Sequence, residues 1–181
     1  MKDRVFIGIG SNVGDSQATC ISSIRELNKD GRLLLQGFSS LYRTSPLSEI
    51  PQDDFVNCAI FVSWAGSPLS LLEFLMSVEN RMGRVRDGRK DSPRVIDLDI
   101  LLFGNLVLNE HSLIIPHAEL HNRKFAIVPC LEIDPQIIHP GLRRPLATFL
   151  SKLPEPQTVE LIRKVTMDEI TGNTVQGNYH V

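Results

Sequence analysis

Cysteine, net charge and long apolar runs are all scarce in this chain. The 181 residues include only three cysteines, Cys20, Cys58 and Cys130. They are odd in number, widely spaced and without a CxxC pair, which excludes a disulfide framework and a zinc cluster. Reduced core thiols are expected instead, and with them a cytoplasmic location. No apolar stretch approaches the roughly 20 residues of a membrane span, because the richest, Val95–Phe103, contains two aspartates. The opening MKDRVFIGIGSN has too short an apolar run, and no small-residue cleavage site, for a signal peptide. The 19 Lys and Arg nearly balance 21 Asp and Glu, a net charge of −2. That balance argues against general polyanion binding, although it can hide local clusters. A GxxxxGKS/T phosphate loop is missing as well, so the chain is no P-loop protein.

At roughly 150 residues per domain, the length suits one domain with its own core. Val5–Ile9 reads as a buried strand, and Asp15 can cap a helix whose apolar positions are Cys20, Ile24 and Leu27, stopped by Gly31. Leu33–Tyr42 is a second strand. Phe55–Trp64 is a third, with Val56, Cys58, Ile60, Val62 and Trp64 on one side and Phe55, Asn57, Ala59, Phe61 and Ser63 on the other. Ser67-Pro68 opens a second helix with the stripe Leu71, Leu75, Val78 and Met82, closed by Gly83. Val95–Phe103 is the fourth strand. The resulting β-α-β-β-α-β order predicts an α+β, ferredoxin-like core: an antiparallel sheet with two helices on one face. Beyond it we expect a short strand near Leu106–Leu108, a helix over Phe125–Glu132 and a last strand at Val159–Val165.

Asp97 and Asp99 lie two apart in a strand, so both carboxylates share one face, with Leu101 and Phe103 as neighbours. Paired anions in such surroundings call for a proton or a cation, and oxygen ligands suit Mg2+. The stretch from Arg81 to Arg94 adds six cationic residues against Asp87 and Asp91, a local +4 in fourteen residues. Arginine forks match phosphate oxygens, so strand and loop together favour a metal–polyphosphate site over a solvated basic loop. Gly8, Gly10 and Gly14 follow GxGxxxG spacing, not GxGxxG, and lack the acid a dinucleotide-binding unit needs. Phe55, Asn57 and Phe125 offer flat rings and an amide for a planar heterocycle, or else are core residues. His117 is the one histidine beside other candidates.

In order and spacing these residues resemble the 6-hydroxymethyl-7,8-dihydropterin pyrophosphokinase family. The matching stretches are IGSN at Ile9–Asn12, YRTSPL at Tyr42–Leu47, QDDFVN at Gln52–Asn57 and ENRMGRVR at Glu79–Arg86. They continue with PRVIDLDILLFG at Pro93–Gly104 and IPHAELHNRKF at Ile115–Phe125, and the likeness covers residues 4–141. It implies one domain over residues 1–181, with 142–181 an extension of unassigned role. It also implies transfer of pyrophosphate from ATP to the reduced pterin, releasing AMP, in folate biosynthesis. By this resemblance Asp97 and Asp99 hold two Mg2+ ions, and Arg84 and Arg94 act with them in catalysis. Glu79, Arg86, Ile100, His117 and Arg123 form the ATP side, Glu79 as a supporting acid. Thr44, Ser45, Pro46, Leu47 and Asn57 bond the pterin, and Phe55 and Phe125 stack on it. The expected partners are ATP and pterin, with no nucleic acid and no membrane. A monomer is expected, and association with other folate-pathway enzymes stays open. The chain departs from the usual family pattern at Ser48, Asp91 and Ala118. An RNA-binding or a non-catalytic ligand-sensing ferredoxin-like module is the alternative reading.

Overall fold

The computed structural model of the chain describes residues 3–48, 50–85, 92–153 and 157–172. β1 (Asp3–Ser11) leads into α1 (Ser16–Asn28), β2 (Leu33–Phe38) and β3 (Leu41–Thr44). β4 (Phe55–Trp64), α2 (Pro68–Arg81) and β5 (Asp97–Phe103) follow. The sheet is antiparallel and runs β3-β4-β1-β5, with β2 also paired to β4. β2 and β3 are two halves of the single strand expected at Leu33–Tyr42. They part at Ser39-Ser40, where short side chains take over from the strand ladder. Ser39 Oγ accepts from the Ala59 amide at 2.9 Å, while the Ser40 amide and hydroxyl both bond the Glu132 carboxylate. Counted as one strand, they give the expected ferredoxin-like order, with the first and third strands central.

α1 starts where its capping residue places it, the Asp15 carboxylate accepting from the Ala18 amide at 3.0 Å. In α2 the Ser67 hydroxyl accepts from the Ser70 amide at 3.1 Å, and Pro68 occupies the first turn. Gly83, just past the end of α2, has φ of +89°, which favours glycine. Both helices bury their stripes on the sheet face that carries Val56, Cys58, Ile60, Val62 and Trp64.

The other face is covered too. α3 (Lys124–Ile133), one residue longer at each end than the periodicity predicts, packs there on Phe6, Ala59, Leu101 and Leu102. The two helices expected on one face are α1 and α2, and α3 adds a layer on the other. β5 starts at Asp97, two residues later than expected. It also bulges: Phe6 pairs with Leu102 and Ile7 with Ile100, leaving Leu101 without a partner. The bulge turns Phe103 into the larger helix-side cluster, so it does not share a face with Asp97 and Asp99 as strict alternation predicts.

β6 (Leu108–Glu110) lies two residues later than the short strand expected, and it pairs with an unforeseen β7 (Leu113–Ile115). β8 (Ile138–His139) pairs with β9 (Arg144–Pro145). β10 (Val159–Arg163) joins the sheet edge beside β3, two residues shorter than its pattern suggests. α4 (Met167–Thr171), also unforeseen, is held by a Thr166–Glu169 capping box and packs against α1. All three cysteines are free and buried, as their spacing predicts. Among the described residues, no helix is long and apolar enough to cross a membrane.

Candidate active site

In the middle of the sheet β1 sets Gly10 between Asn57 of β4 and Asp97 of β5, and sets Gly8 opposite Asp99. Two glycines leave a floor without side chains, and a cavity of about 400 Å3 opens above it. A Cβ on Gly10 would come within 2.6 Å of Asn57 Oδ1, and one on Gly8 would meet Leu101 at 3.2 Å. The GxG spacing thus serves close approach across the sheet.

One wall comes from the end of β3 and the start of β4. Thr44, Ser45, Pro46, Leu47, Ser48, Phe55 and Asn57 all line the cavity. Asn57 Nδ2 donates to Thr44 Oγ1 at 2.7 Å, and both residues are buried. The segment entering α3 forms another wall with His117, Arg123 and Phe125. Each phenyl ring carries a guanidinium: Arg94 lies 5.5 Å from the Phe55 centroid and Arg123 5.7 Å from that of Phe125.

Asp97 and Asp99 lie between the walls. One Asp97 oxygen pairs with Arg84, and the other accepts from Arg94 Nη1 at 2.8 Å. Burial and the Asp97 carboxylate beside it push Asp99 up to about 7, with Arg123 pulling the other way. Such a pair is stabilised by a cation between or beside its oxygens. Among the described residues no group of three or more His, Cys, Asp or Glu could hold a metal, and the oxygens of Asp97 and Asp99 are of the kind that suits a hard cation. Burial and the nearby Arg123 lower the His117 imidazole. Among the described residues Arg94 Nε is buried without a partner, a donor left over for an anion.

Some expected residues stand elsewhere. Glu79 does not line the cavity; it is 1% exposed and accepts from Arg84 Nη1 at 2.5 Å and from the Leu98 amide at 2.8 Å. It thereby anchors Arg84 and the start of β5. Arg84 itself reaches Asp97 from behind the cavity wall. The Ile100 side chain belongs to the helix-side core, across the sheet from the cavity. Arg86 lies outside the described residues, as do Asp87, Arg89, Lys90 and Asp91.

Asn12 carries no role in the sequence reading, yet it ties two parts of the site together. Its Oδ1 accepts from the Arg94 amide at 2.8 Å, while its Nδ2 donates to Gln52 Oε1 at 2.8 Å and to the Asp53 carbonyl at 3.2 Å. The sequence signals are a polar Ser-Asn directly after an apolar strand and its place in the IGSN stretch.

The family model described as 7,8-dihydro-6-hydroxymethylpterin-pyrophosphokinase (HPPK) matches residues 6–135. A 2-amino-4-hydroxy-6-hydroxymethyldihydropteridine pyrophosphokinase of Methylorubrum extorquens is 33% identical over 159 residues, covering 88% of this chain and 98% of that protein. A protein of the same name from Haemophilus influenzae is 37% identical over 136 residues, 75% of this chain and 84% of that protein. The folic acid synthesis protein FOL1 of Dictyostelium discoideum is 39% identical over 138 residues, 76% of this chain, but the match spans only 20% of that protein. Plasmodium falciparum HPPK-DHPS shares the fold at a TM-score of 0.68 and 15% identity, covering 84% of this chain and 44% of that one. With a family match over residues 6–135 and relatives above 30% identity that it spans almost end to end, the chain belongs to the 7,8-dihydro-6-hydroxymethylpterin-pyrophosphokinase family.

Proposed function

We propose that this chain transfers pyrophosphate from ATP to 6-hydroxymethyl-7,8-dihydropterin, releasing AMP. In that reaction the hydroxymethyl oxygen bonds to the β-phosphorus. The bond from that phosphorus to the α,β-bridging oxygen breaks, AMP leaves with that oxygen, and the hydroxyl proton is lost. The observation that carries the reading is one cavity lined by two phenyl rings, a buried Asn57–Thr44 pair, the Asp97 and Asp99 carboxylates and two arginines.

Phe55 and Phe125 would sandwich the pterin ring, and Asn57 with Thr44 would orient its polar edge. Arg94 and Arg123 would neutralise charge on the polyphosphate, with Arg94 Nε as an unspent donor. Arg84, held by Glu79, would do the same from behind Asp97. His117 belongs to the nucleotide side. Asp97 and Asp99 would hold Mg2+, two ions in all, because an oxygen-only pair under mutual repulsion fits a hard cation. A metal held there would supply Lewis-acid stabilisation of charge on the polyphosphate. Holding both reactants in line supplies much of the acceleration, with no covalent enzyme intermediate.

An RNA-binding module would need this sheet face open; here α3 covers part of it, and the rest carries Asp97 and Asp99. A non-catalytic sensor has no use for the arginine–carboxylate cluster. A cytoplasmic monomer completes the proposal. The multifunctional naming of the bifunctional protein FolKE of Lactococcus lactis, of which this chain spans 36%, supports association with other folate enzymes.

The deciding measurement is AMP release from ATP with Mg2+, with and without the pterin. Formation of AMP only when pterin is present is expected, and it should vanish in Asp97→Ala/Asp99→Ala while the fold persists. ADP as the product, or turnover indifferent to pterin, would overturn the reading.

A further inference from the structure

The family match ends at residue 135, and the sequence leaves residues 142–181 without a role. Two of those residues nevertheless hold both walls of the cavity. Gln157 is 7% exposed, and its side-chain amide bonds the main chain on each side of Arg123. Its Oε1 accepts from the Lys124 amide at 2.8 Å, and its Nε2 donates to the Asn122 carbonyl at 3.0 Å. Lys124 is the first residue of α3, whose N-terminus has no side-chain cap of its own. Gln157 thus satisfies an orphan amide and fixes the backbone at Arg123, two residues before Phe125.

Thr158 turns to the other wall. Its amide donates to Ser45 Oγ at 3.2 Å, and the Ser45 amide donates back to Thr158 Oγ1 at 3.2 Å. The next residue, Val159, pairs with Thr44 as β10 joins β3. Consecutive side chains in extended backbone point to opposite sides, so a dipeptide can reach two walls at once. Neither residue lines the cavity.

We propose that Gln157 and Thr158 are positioning residues, a C-terminal strap that sets Arg123 and Phe125 on one wall against Thr44 and Ser45 on the other. The inference rests on the pyrophosphokinase reading for the identity of the ligands, but not for the geometry. Gln157 acts on the nucleotide and pterin through Arg123 and Phe125. Thr158 acts on the pterin alone, through Ser45.

The test uses the full chain with Gln157→Ala, Thr158→Val and Thr158→Ser, and Ile162→Ala as a control that loosens β10 without touching either wall. In Gln157→Ala the KM for ATP and for pterin should each rise on the order of tenfold, with kcat changed much less. Thr158→Val should raise the pterin KM only, and Thr158→Ser, which keeps the hydroxyl, should restore it. Binding of α,β-methylene-ATP with Mg2+, followed by calorimetry, should weaken in Gln157→Ala and not in Thr158→Val. Parental constants in both variants, or an equal rise in Ile162→Ala, would overturn the strap. If Gln157→Ala fails to fold, the Thr158 pair still decides: a parental pterin KM in Thr158→Val refutes it. A parent chain without pterin-dependent AMP release refutes the catalytic reading instead, and the nucleotide-binding comparison still judges the role of Gln157.

Discussion

Gly10 on β1 stands directly opposite Asn57 on β4, with room between them for a hydrogen atom and not for a methyl group. A Cβ there would lie 2.6 Å from Asn57 Oδ1, and Asn57 cannot yield freely because its Nδ2 is engaged with Thr44 at 2.7 Å. The glycine is therefore a condition for the polar end of this cavity wall.

Gly10→Ala should displace Asn57 and break its bond to Thr44. A lost buried hydrogen bond plus local overpacking amounts to about 1–3 kcal/mol. Pterin affinity should fall on the order of tenfold or more, while nucleotide-analogue affinity changes little. Titrating each ligand by calorimetry checks this, and equal losses for both would refute the local account.

Glu79 is the least exposed carboxylate around the site, and it supports both Arg84 and the Leu98 amide. Glu79→Ala takes the acceptor from the Leu98 amide and one of two carboxylates from Arg84, which keeps Asp97 and the Ile96 carbonyl, a loss of about 1–3 kcal/mol in stability. Glu79→Gln keeps an acceptor for Leu98 and should fold with a smaller loss. Its kcat should fall more than its KM values, because Arg84 is no longer braced against Asp97. Chemical denaturation and steady-state kinetics on the two variants separate the structural from the kinetic effect.

His139 packs edge-on against His121, with ring centroids 5.7 Å apart, and against Phe149 at 6.0 Å, a ring that also meets His121 and the Arg144 guanidinium. Its Nδ1 accepts from the Leu142 amide at 3.2 Å. Burial, then the neighbouring His121, holds its imidazole below the ordinary 6.5. The unfolded chain therefore takes up this proton more readily than the folded one. The contribution of His139 is complete above pH 6.5 and is lost as pH falls below it. Denaturation midpoints between pH 8 and 5 should drop less steeply in His139→Asn than in the parent, even where the variant starts lower. Parallel slopes would rule the histidine out as the titrating group.

Much of the core was legible because period and capping are local properties. Asp15 and Ser67 start their helices where the sequence places them, and the two faces of Phe55–Trp64 follow from alternation alone. The Leu33–Tyr42 strand was misread as continuous because Ser40 bonds a glutamate 92 residues away. The bulge at Leu101 was hidden because it is a property of pairing with Phe6 and Ile7, and no pattern within β5 encodes it. Glu79 stands behind the cavity wall, as suits a supporting acid, and the Ile100 side chain lies across the sheet from the cavity, a direction that spacing alone does not give.

By itself, then, the sequence determined the element types, the core faces, the reduced cysteines and the residue types that could grip phosphate and pterin. Each of these depends on neighbours within a few positions. The tertiary structure decided which groups meet: two glycines as a bare floor, Asn12 tying Arg94 to the loop before Phe55, and Gln157–Thr158 closing both walls. Those contacts join residues 33 to 113 positions apart. Strand register and long-range hydrogen bonds set them, and periodicity along the chain carries no information about either.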